Sequence, residues 1–288
     1  MGDLEPQLTR EQFELFRALL QRTAGIALNG DKLELASARL IKRLRALKLR
    51  SYERYYRLLK EEGSNGEELV HFTNALTTNK TSFFRESHHF DVLRSHVLEP
   101  LAQAARRGGP KRLRIWSAGS SSGEEAYTLL MTVAETIPDF ATWDIRVLAS
   151  DIDTEMLEAT DRAEYGSEQV EEQIPPRMTE RWLRRGSTGS FEVRHELRSK
   201  VTTRRLNLAR PPWPIRARFD AIFCRNALIY LAAPEQRRAV AEFISLLGPD
   251  GLLCLGHSES ILGVQKDLRL LGKTAFARRP DVASREVA

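Results

Sequence analysis

The chain has 288 residues, 42% hydrophobic and 29% charged, with a net charge of +5. That length suits one large domain or a small domain beside a mid-sized one. The mild positive balance favours an acidic partner, but it lacks the basic module signature that nucleic-acid binding requires. The two cysteines, Cys224 and Cys254, are too few for a disulfide framework. Each lies in an apolar run, as a small core residue would, and a reducing compartment fits. No apolar run reaches the ~20 residues of a membrane span. The opening MGDLEPQLTR lacks the apolar core of a secretory signal, so a cytoplasmic protein with no membrane insertion is expected.

Residues 1–78 read as a wholly helical domain. TREQFELFRALLQRTAG places Phe13, Phe16, Leu19 and Leu20 at helical spacing, with Gly25 as a stop. DKLELASARLIKRLRALKL repeats the pattern, and YERYYRLLKEEG and EELVHFTNALTTN are shorter helices. From about residue 112 strands alternate with helices: RLRIWSAG, GEEAYTLLMTVAET, DIRVLASDID, TEMLEATDRAEYG, FDAIFCRNALIYL, PEQRRAVAEFISLL and GLLCLGH. Such alternation predicts an α/β domain, taken as residues 79–288, with a mostly parallel sheet buried on both faces. Within it, residues 184–206 hold FEVRHEL and KVTTRRLNL, which read as two strands of a small inserted antiparallel β-subdomain.

Four stretches could carry chemistry. RIWSAGSSSGEEA ends a strand and opens a helix through small residues, the usual place for a nucleotide-like ligand. The same residues match the nucleophile elbow G-x-S-x-G, and Ser121, Asp151 and His257 run in the chain order of a hydrolase triad. Against a hydrolase, only helices precede this first strand, and two glutamates follow the turn. ASDID ends the next strand: Asp151 is the better ribose acceptor, while Asp153 is placed to cap the following helix. In FDAIFCRNALIYL, Arg225, Asn226 and Tyr230 follow a buried strand abruptly, as cleft residues do. A capping Asn226 and a packed Tyr230 are the plain alternative. In NKTSFFRESHHF, His88 and His89 are neighbours, about 100° apart on a helix, which does not suit a shared metal. No metal is expected, and both histidines read as structural.

Together, TTNKTSFFRESHHF, WSAGSSSGEEAYTLL, LASDIDTEMLE, FDAIFCRNALIYL and LLGPDGLLCLGHSES resemble the chemotaxis receptor methyltransferases, the CheR family. The resemblance runs in order from about residue 10 to residue 280. It implies a helical N-terminal domain and a class I, Rossmann-like S-adenosylmethionine-dependent methyltransferase domain with an inserted β-subdomain. It also implies methyl transfer to glutamates on chemoreceptor signalling helices, leaving S-adenosylhomocysteine. Carried over by position, the cofactor-binding set is Asn79, Thr81, Arg85, Glu125, Asp151, Asn207, Leu208, Arg225 and Asn226. Arg85 and Tyr230 are implied to stand beside the transferred methyl.

One departure is the short RRGSTGSFEVRHEL, which points away from binding a receptor's C-terminal pentapeptide. A basic run over residues 31–60 (Lys32, Arg39, Lys42, Arg43, Arg45, Lys48, Arg50, Arg54, Arg57, Lys60) suits docking of an acidic receptor helix. A monomer is expected. The competing readings are a Ser121 hydrolase and a cofactor-binding sensor of the same fold without turnover.

Overall fold

Helical periodicity near the N-terminus becomes four packed helices. These are α1 (Arg10–Ala24), α2 (Leu33–Ala46), α3 (Tyr52–Glu62) and α4 (Glu67–Leu76). The computed structural model describes residues 6–63, 66–186, 189–259 and 265–279. Helix α1 starts on a reciprocal cap: Thr9 accepts from the Gln12 backbone, and the Gln12 side chain accepts from the Thr9 backbone. Phe13, Phe16, Leu20, Leu40, Leu44, Tyr55 and Phe72 then close a core of their own.

Two arginines of the basic run turn inward. Arg43 forms a bidentate pair with buried Glu68, at 2.9 and 2.6 Å, and Tyr55 Oη donates to the same carboxylate at 2.7 Å. Arg39 donates to the carbonyls of Ala75 and Thr77. Neither is available for docking, which corrects their place in the basic face. Lys42, Lys48, Arg50 and Arg54 stay exposed.

Beyond the linker come α5 (His88–Leu93), a π-helical turn at 94–98 and α6 (Glu99–Arg106). The α/β alternation follows with β1 (Arg112–Ala118), α7 (Glu124–Thr136), β2 (Asp144–Asp151) and α8 (Thr154–Arg162). Next come β3 (Glu164–Gly166), α9 (Ser167–Gln173), α10 (Pro176–Trp182), β4 (Leu183–Arg185), β5 (Ser190–Val193), α11 (His195–Arg198) and β6 (Val201–Arg205). The last elements are β7 (Phe219–Cys224), α12 (Ala233–Leu246), β8 (Leu247–Leu255), β9 (Leu268–Gly272) and β10 (Ala275–Arg278). The seven-stranded sheet has the order β6-β2-β1-β7-β8-β10-β9. Its β6 to β8 portion is parallel, and β10 and β9 are antiparallel additions. Apolar clusters cover both faces, one built on Ile115, Leu130 and Phe223, the other on Trp116, Trp213 and Phe243.

The small antiparallel sheet exists, but its strands differ from those expected. It has the order β3-β5-β4 and so begins at Glu164, before residue 184. Within FEVRHEL, the second half is helix α11. KVTTRRLNL does not belong to it: β6 pairs in parallel with β2, from Val147–Val201 to Asp151–Arg205. As an edge strand it is mostly exposed, so its polar alternation imitates an antiparallel ribbon. The placement matters, because the carboxyl end of β6 now lies beside that of β2.

The helical segment docks onto this carboxyl edge. Ile26 forms an antiparallel bridge with Leu231, and Ala27 N–H donates to the Tyr230 carbonyl at 2.7 Å. Asn74 Nδ2 donates to Thr154 Oγ1 at 2.9 Å. Among the described residues, no helix is long and apolar enough to cross a membrane.

Candidate active site

Each parallel strand delivers its next residues to the same edge. After β1, Gly119 and Ser120 both donate backbone N–H groups to the Ser150 carbonyl, at 2.8 and 2.9 Å, binding this turn to the end of β2. Gly119 has φ +78°, and a Cβ there would stand 2.6 Å from the Ala227 methyl. Any side chain would therefore push the β1 turn off the one after β7. Asp151 is fixed by two backbone donors: Ser121 N–H to Oδ2 at 2.8 Å and Asp153 N–H to Oδ1 at 3.0 Å. Each oxygen keeps a lone pair for a further donor. Burial raises the Asp151 pKa, against the pull of those N–H groups. Asp153 instead serves the next helix, where its Oδ1 caps α8 through the Glu155 and Met156 backbone.

Asn79, in the linker, donates to Asp153 Oδ2 at 2.7 Å, and its carbonyl accepts from Ser121 Oγ at 2.9 Å. Thr77 Oγ1 shares Asp153 Oδ2, also at 2.7 Å. Downstream, Arg85 sits between Phe84 (φ +52°) and Glu86 (φ +53°), two non-glycine residues in the left-handed region. Such conformations cost roughly 1–3 kcal/mol each. They are held by Phe83 N–H on Gln173 Oε1 and Phe84 N–H on Thr128 Oγ1, at 2.9 and 3.3 Å. The tight winding turns Arg85 toward the cavity. Its guanidinium donates to the Lys80 carbonyl and has no carboxylate partner among the described residues.

Arg225 is buried behind it. Its Nε donates to Glu125 Oε2 at 2.7 Å, Nη1 donates to the Arg85 carbonyl, and the group lies over the Phe90 ring, 5.3 Å from its centroid. Ser117 Oγ supplies the other Glu125 oxygen at 2.6 Å. Asn226 follows with φ +60°, and its Oδ1 is buried without a partner among the described residues. Asn207 Oδ1 accepts from Ala209 N–H at 2.9 Å, bending the chain that leaves β6.

Asn79, Thr81, Arg85, Glu125, Asp151, Asn207, Leu208, Arg225, Asn226 and Tyr230 all line one cavity of about 600 Å³ between the helical segment and the sheet edge. Sequence reasoning missed its opposite wall, formed by Ile26, Ala27, Leu28 and Leu35. Apolar residues just after a helix, or in its first turn as Leu35 is, carry no local sign of lining a site. The hydrolase geometry is not assembled. Ser121 Oγ donates to Asn79, Asp151 holds the Ser121 backbone, and His257 lies by Glu86 and His88. Among the described residues, no group of His, Cys, Asp and Glu is placed to hold a metal ion.

His89 is buried, and Arg225 Nη1 lies 3.3 Å from its Nδ1. Arginine can only donate, so Nδ1 accepts and Nε2 carries the proton, 3.1 Å from Thr274 Oγ1. Burial first, then the positive charge of Arg225, pushes the His89 pKa down to about 3. His88 is lowered too, chiefly by burial. An unfolded chain titrates this imidazole near ~6.5. Below that pH the unfolded state binds more protons, so stability declines as pH falls from 6.5 toward about 3. The variant His89→Gln is expected to flatten the fall of Tm between pH 6.5 and about 5. Parallel melting curves for variant and native chain would refute this.

Residues 11–77 match the model described as "CheR methyltransferase, all-alpha domain", and residues 79–277 match "CheR methyltransferase, SAM binding domain". The chain is 40% identical over 281 residues to chemotaxis protein methyltransferase 2 of Pseudomonas aeruginosa, covering 96% of each. It is 39% identical over 277 residues to the chemotaxis protein methyltransferase of Escherichia coli, covering 95% of this chain and 93% of that one. A probable chemotaxis protein methyltransferase of Rhizobium etli is 40% identical over 254 residues, 86% of this chain and 92% of that one. With both parts matched in order, and with relatives aligned over nearly their full length, the chain belongs to the CheR family of S-adenosylmethionine-dependent methyltransferases.

Proposed function

We propose that this chain methylates glutamate side chains on chemoreceptor signalling helices, using S-adenosylmethionine and leaving glutamate methyl esters and S-adenosylhomocysteine. The observation that carries the reading is the convergence of the after-strand residues, the linker and the Tyr230 turn on one cavity. Its volume lies within the range of small-molecule sites. The residues present fit the methyl donor. Asp151 keeps acceptor capacity for a ribose diol, Arg85 is a cation without a carboxylate partner among the described residues, and the Asn226 Oδ1 is a buried acceptor still to be used. Asn79, Thr81, Glu125, Asn207, Leu208 and Arg225 complete the cofactor-binding set.

When bound, S-adenosylmethionine supplies a methyl group already activated on a positive sulfur. The incoming glutamate, with an unperturbed pKa near ~4.3, is ionised at neutral pH, so the site needs no general base. What the protein must provide is alignment and removal of water. Arg85 positions a carboxylate, and Tyr230 offers a phenol hydroxyl with no hydrogen-bond partner among the described residues. Charge is neutralised as the ester forms, so a very tight Arg85 clamp would hold the ground state too well. Both residues therefore orient and do not exchange protons.

The exposed cations of the helical segment guide docking of the acidic receptor helix, and the chain acts as a monomer in the cytoplasm. The charge reversals Lys42→Glu and Arg50→Glu together are expected to raise KM for receptor about 10-fold, weaken its salt dependence and leave kcat unchanged. An unaltered KM would remove this docking face. We also propose that no C-terminal receptor peptide is needed. The loop between β4 and β5 is short, although residues 187–188 lie outside the described residues. A receptor truncated at its tail should be methylated at the full rate.

The reading is tested by incubating the chain with radiolabelled methyl donor and receptor-bearing membranes. Transfer released by alkali as methanol is expected. Label that survives alkali would sink the glutamate ester, and binding of S-adenosylhomocysteine without any transfer would favour a sensor.

A further inference from the structure

The turn bearing Asn226 and Tyr230 lies outside the named strands, yet both residues must be held to within a fraction of an ångström for the site to work. It runs from Arg225 into a single 3-10 turn, Leu228–Tyr230, whose first N–H groups find no helical acceptor. On one side Ile26 and Ala27 grip it through Leu231 and the Tyr230 carbonyl. On the other side stands Glu259, three residues beyond Gly256 at the end of β8.

Glu259 is buried, at 8% exposure. Its Oε1 accepts from Leu228 N–H at 2.7 Å, and its Oε2 accepts from Gly256 N–H at 2.5 Å. One side chain thus takes the first amide of the 3-10 turn and fastens it to the residue that follows β8. Gly256 makes room for it. A Cβ at that position would lie 2.8 Å from the Asn226 backbone nitrogen and 2.9 Å from both Asn226 Nδ2 and Glu259 Oε2. No cation is paired with Glu259 among the described residues, so backbone dipoles alone compensate its charge. Burial raises its pKa, and the backbone N–H groups that it accepts from oppose that rise.

We propose that Glu259 is a positioning residue for methyl transfer, its carboxylate tying the Leu228 amide to that of Gly256 and so holding the turn that carries Asn226 and Tyr230 at the cavity. A carboxylate suits the role because it accepts on both oxygens. An amide of the same shape would aim an NH₂ group at a backbone donor. This inference rests on the methyl-transfer reading of the site.

The test compares Glu259→Gln, Glu259→Asp and Gly256→Ala with the native chain. Binding of S-adenosylhomocysteine is measured by calorimetry, and kcat and KM for receptor are normalised to the binding-competent fraction. Glu259→Gln is expected to lose about 10- to 100-fold in kcat and cofactor affinity combined, with KM for receptor unmoved. Glu259→Asp, one methylene shorter, should reach only one of the two amides and fall between. Gly256→Ala should resemble Glu259→Gln while keeping the carboxylate. A loss explained wholly by fewer folded molecules would show a merely structural residue and overturn the inference, as would unchanged constants in either Glu259 variant that folds. If Glu259→Gln does not fold, Gly256→Ala with native constants would overturn it. A native chain that fails to bind S-adenosylhomocysteine would instead overturn the reading beneath it.

Discussion

Replacing Arg225 by methionine is expected to destabilise the chain by about 3–5 kcal/mol and to abolish cofactor binding. The guanidinium is the meeting point of the site's buried polar groups. It is paired with Glu125 at 2.7 Å, donates to the Arg85 carbonyl and to His89, and lies 3.9 Å from Glu86 Oε2. Both glutamates are nearly enclosed, with 8% and 11% of their side chains exposed. Removing the cation leaves both carboxylates buried without the arginine that balances their charge, which is far worse than never having had the pair. The double variant Arg225→Met, Glu125→Gln should recover much of the stability by removing one stranded charge. It should not recover binding, because the Arg85 carbonyl loses its anchor either way. Chemical denaturation followed by calorimetry separates the two effects. A single variant as stable as the native chain would contradict the role of Arg225 in the cluster.

Arg85→Ala is expected to lower kcat about 100-fold or more while changing stability little. The side chain donates to the Lys80 backbone carbonyl and pairs with no carboxylate among the described residues, so its loss strands no charge there. Its place beside the cavity is maintained by the left-handed residues on either side, which remain when the side chain is cut back. Arg85→Lys should restore charge without the planar fork and recover only part of the rate. Methyl transfer at the native rate by Arg85→Ala would remove Arg85 from the reaction.

What can be read from sequence follows local physical rules. Phe13, Phe16 and Leu20 announce a helix by spacing. AIFC and LLCL announce strands buried on both sides, because only a covered sheet tolerates apolar runs at every position. Asp151, Arg225 and Asn226 stand out as site candidates because ligands gather where parallel strands end, and all three line the cavity. The misreadings also have local causes. VTTRR is a parallel strand with one neighbour, so half of it faces water and it scans as an antiparallel ribbon. HELR is too short for periodicity to show. Arg39 and Arg43 scan as surface charges, since nothing nearby in the chain reveals that the carbonyls of Ala75 and Thr77 and the carboxylate of Glu68 await them. Glu259 gives no warning at all, because the Leu228 amide it accepts from lies 31 residues earlier.

The Ile26–Leu231 bridge has a consequence for chimeras between members of the family. Because Ile26, Ala27, Leu28 and Leu35 wall the cavity and Ala27 is bonded to the Tyr230 carbonyl, the helical segment is not a detachable recognition head. Exchanging it for that of a relative, in order to redirect receptor choice, would transplant part of the pocket as well. Such a hybrid inherits a mismatch at the cavity unless the 226–231 turn travels with the helices it touches.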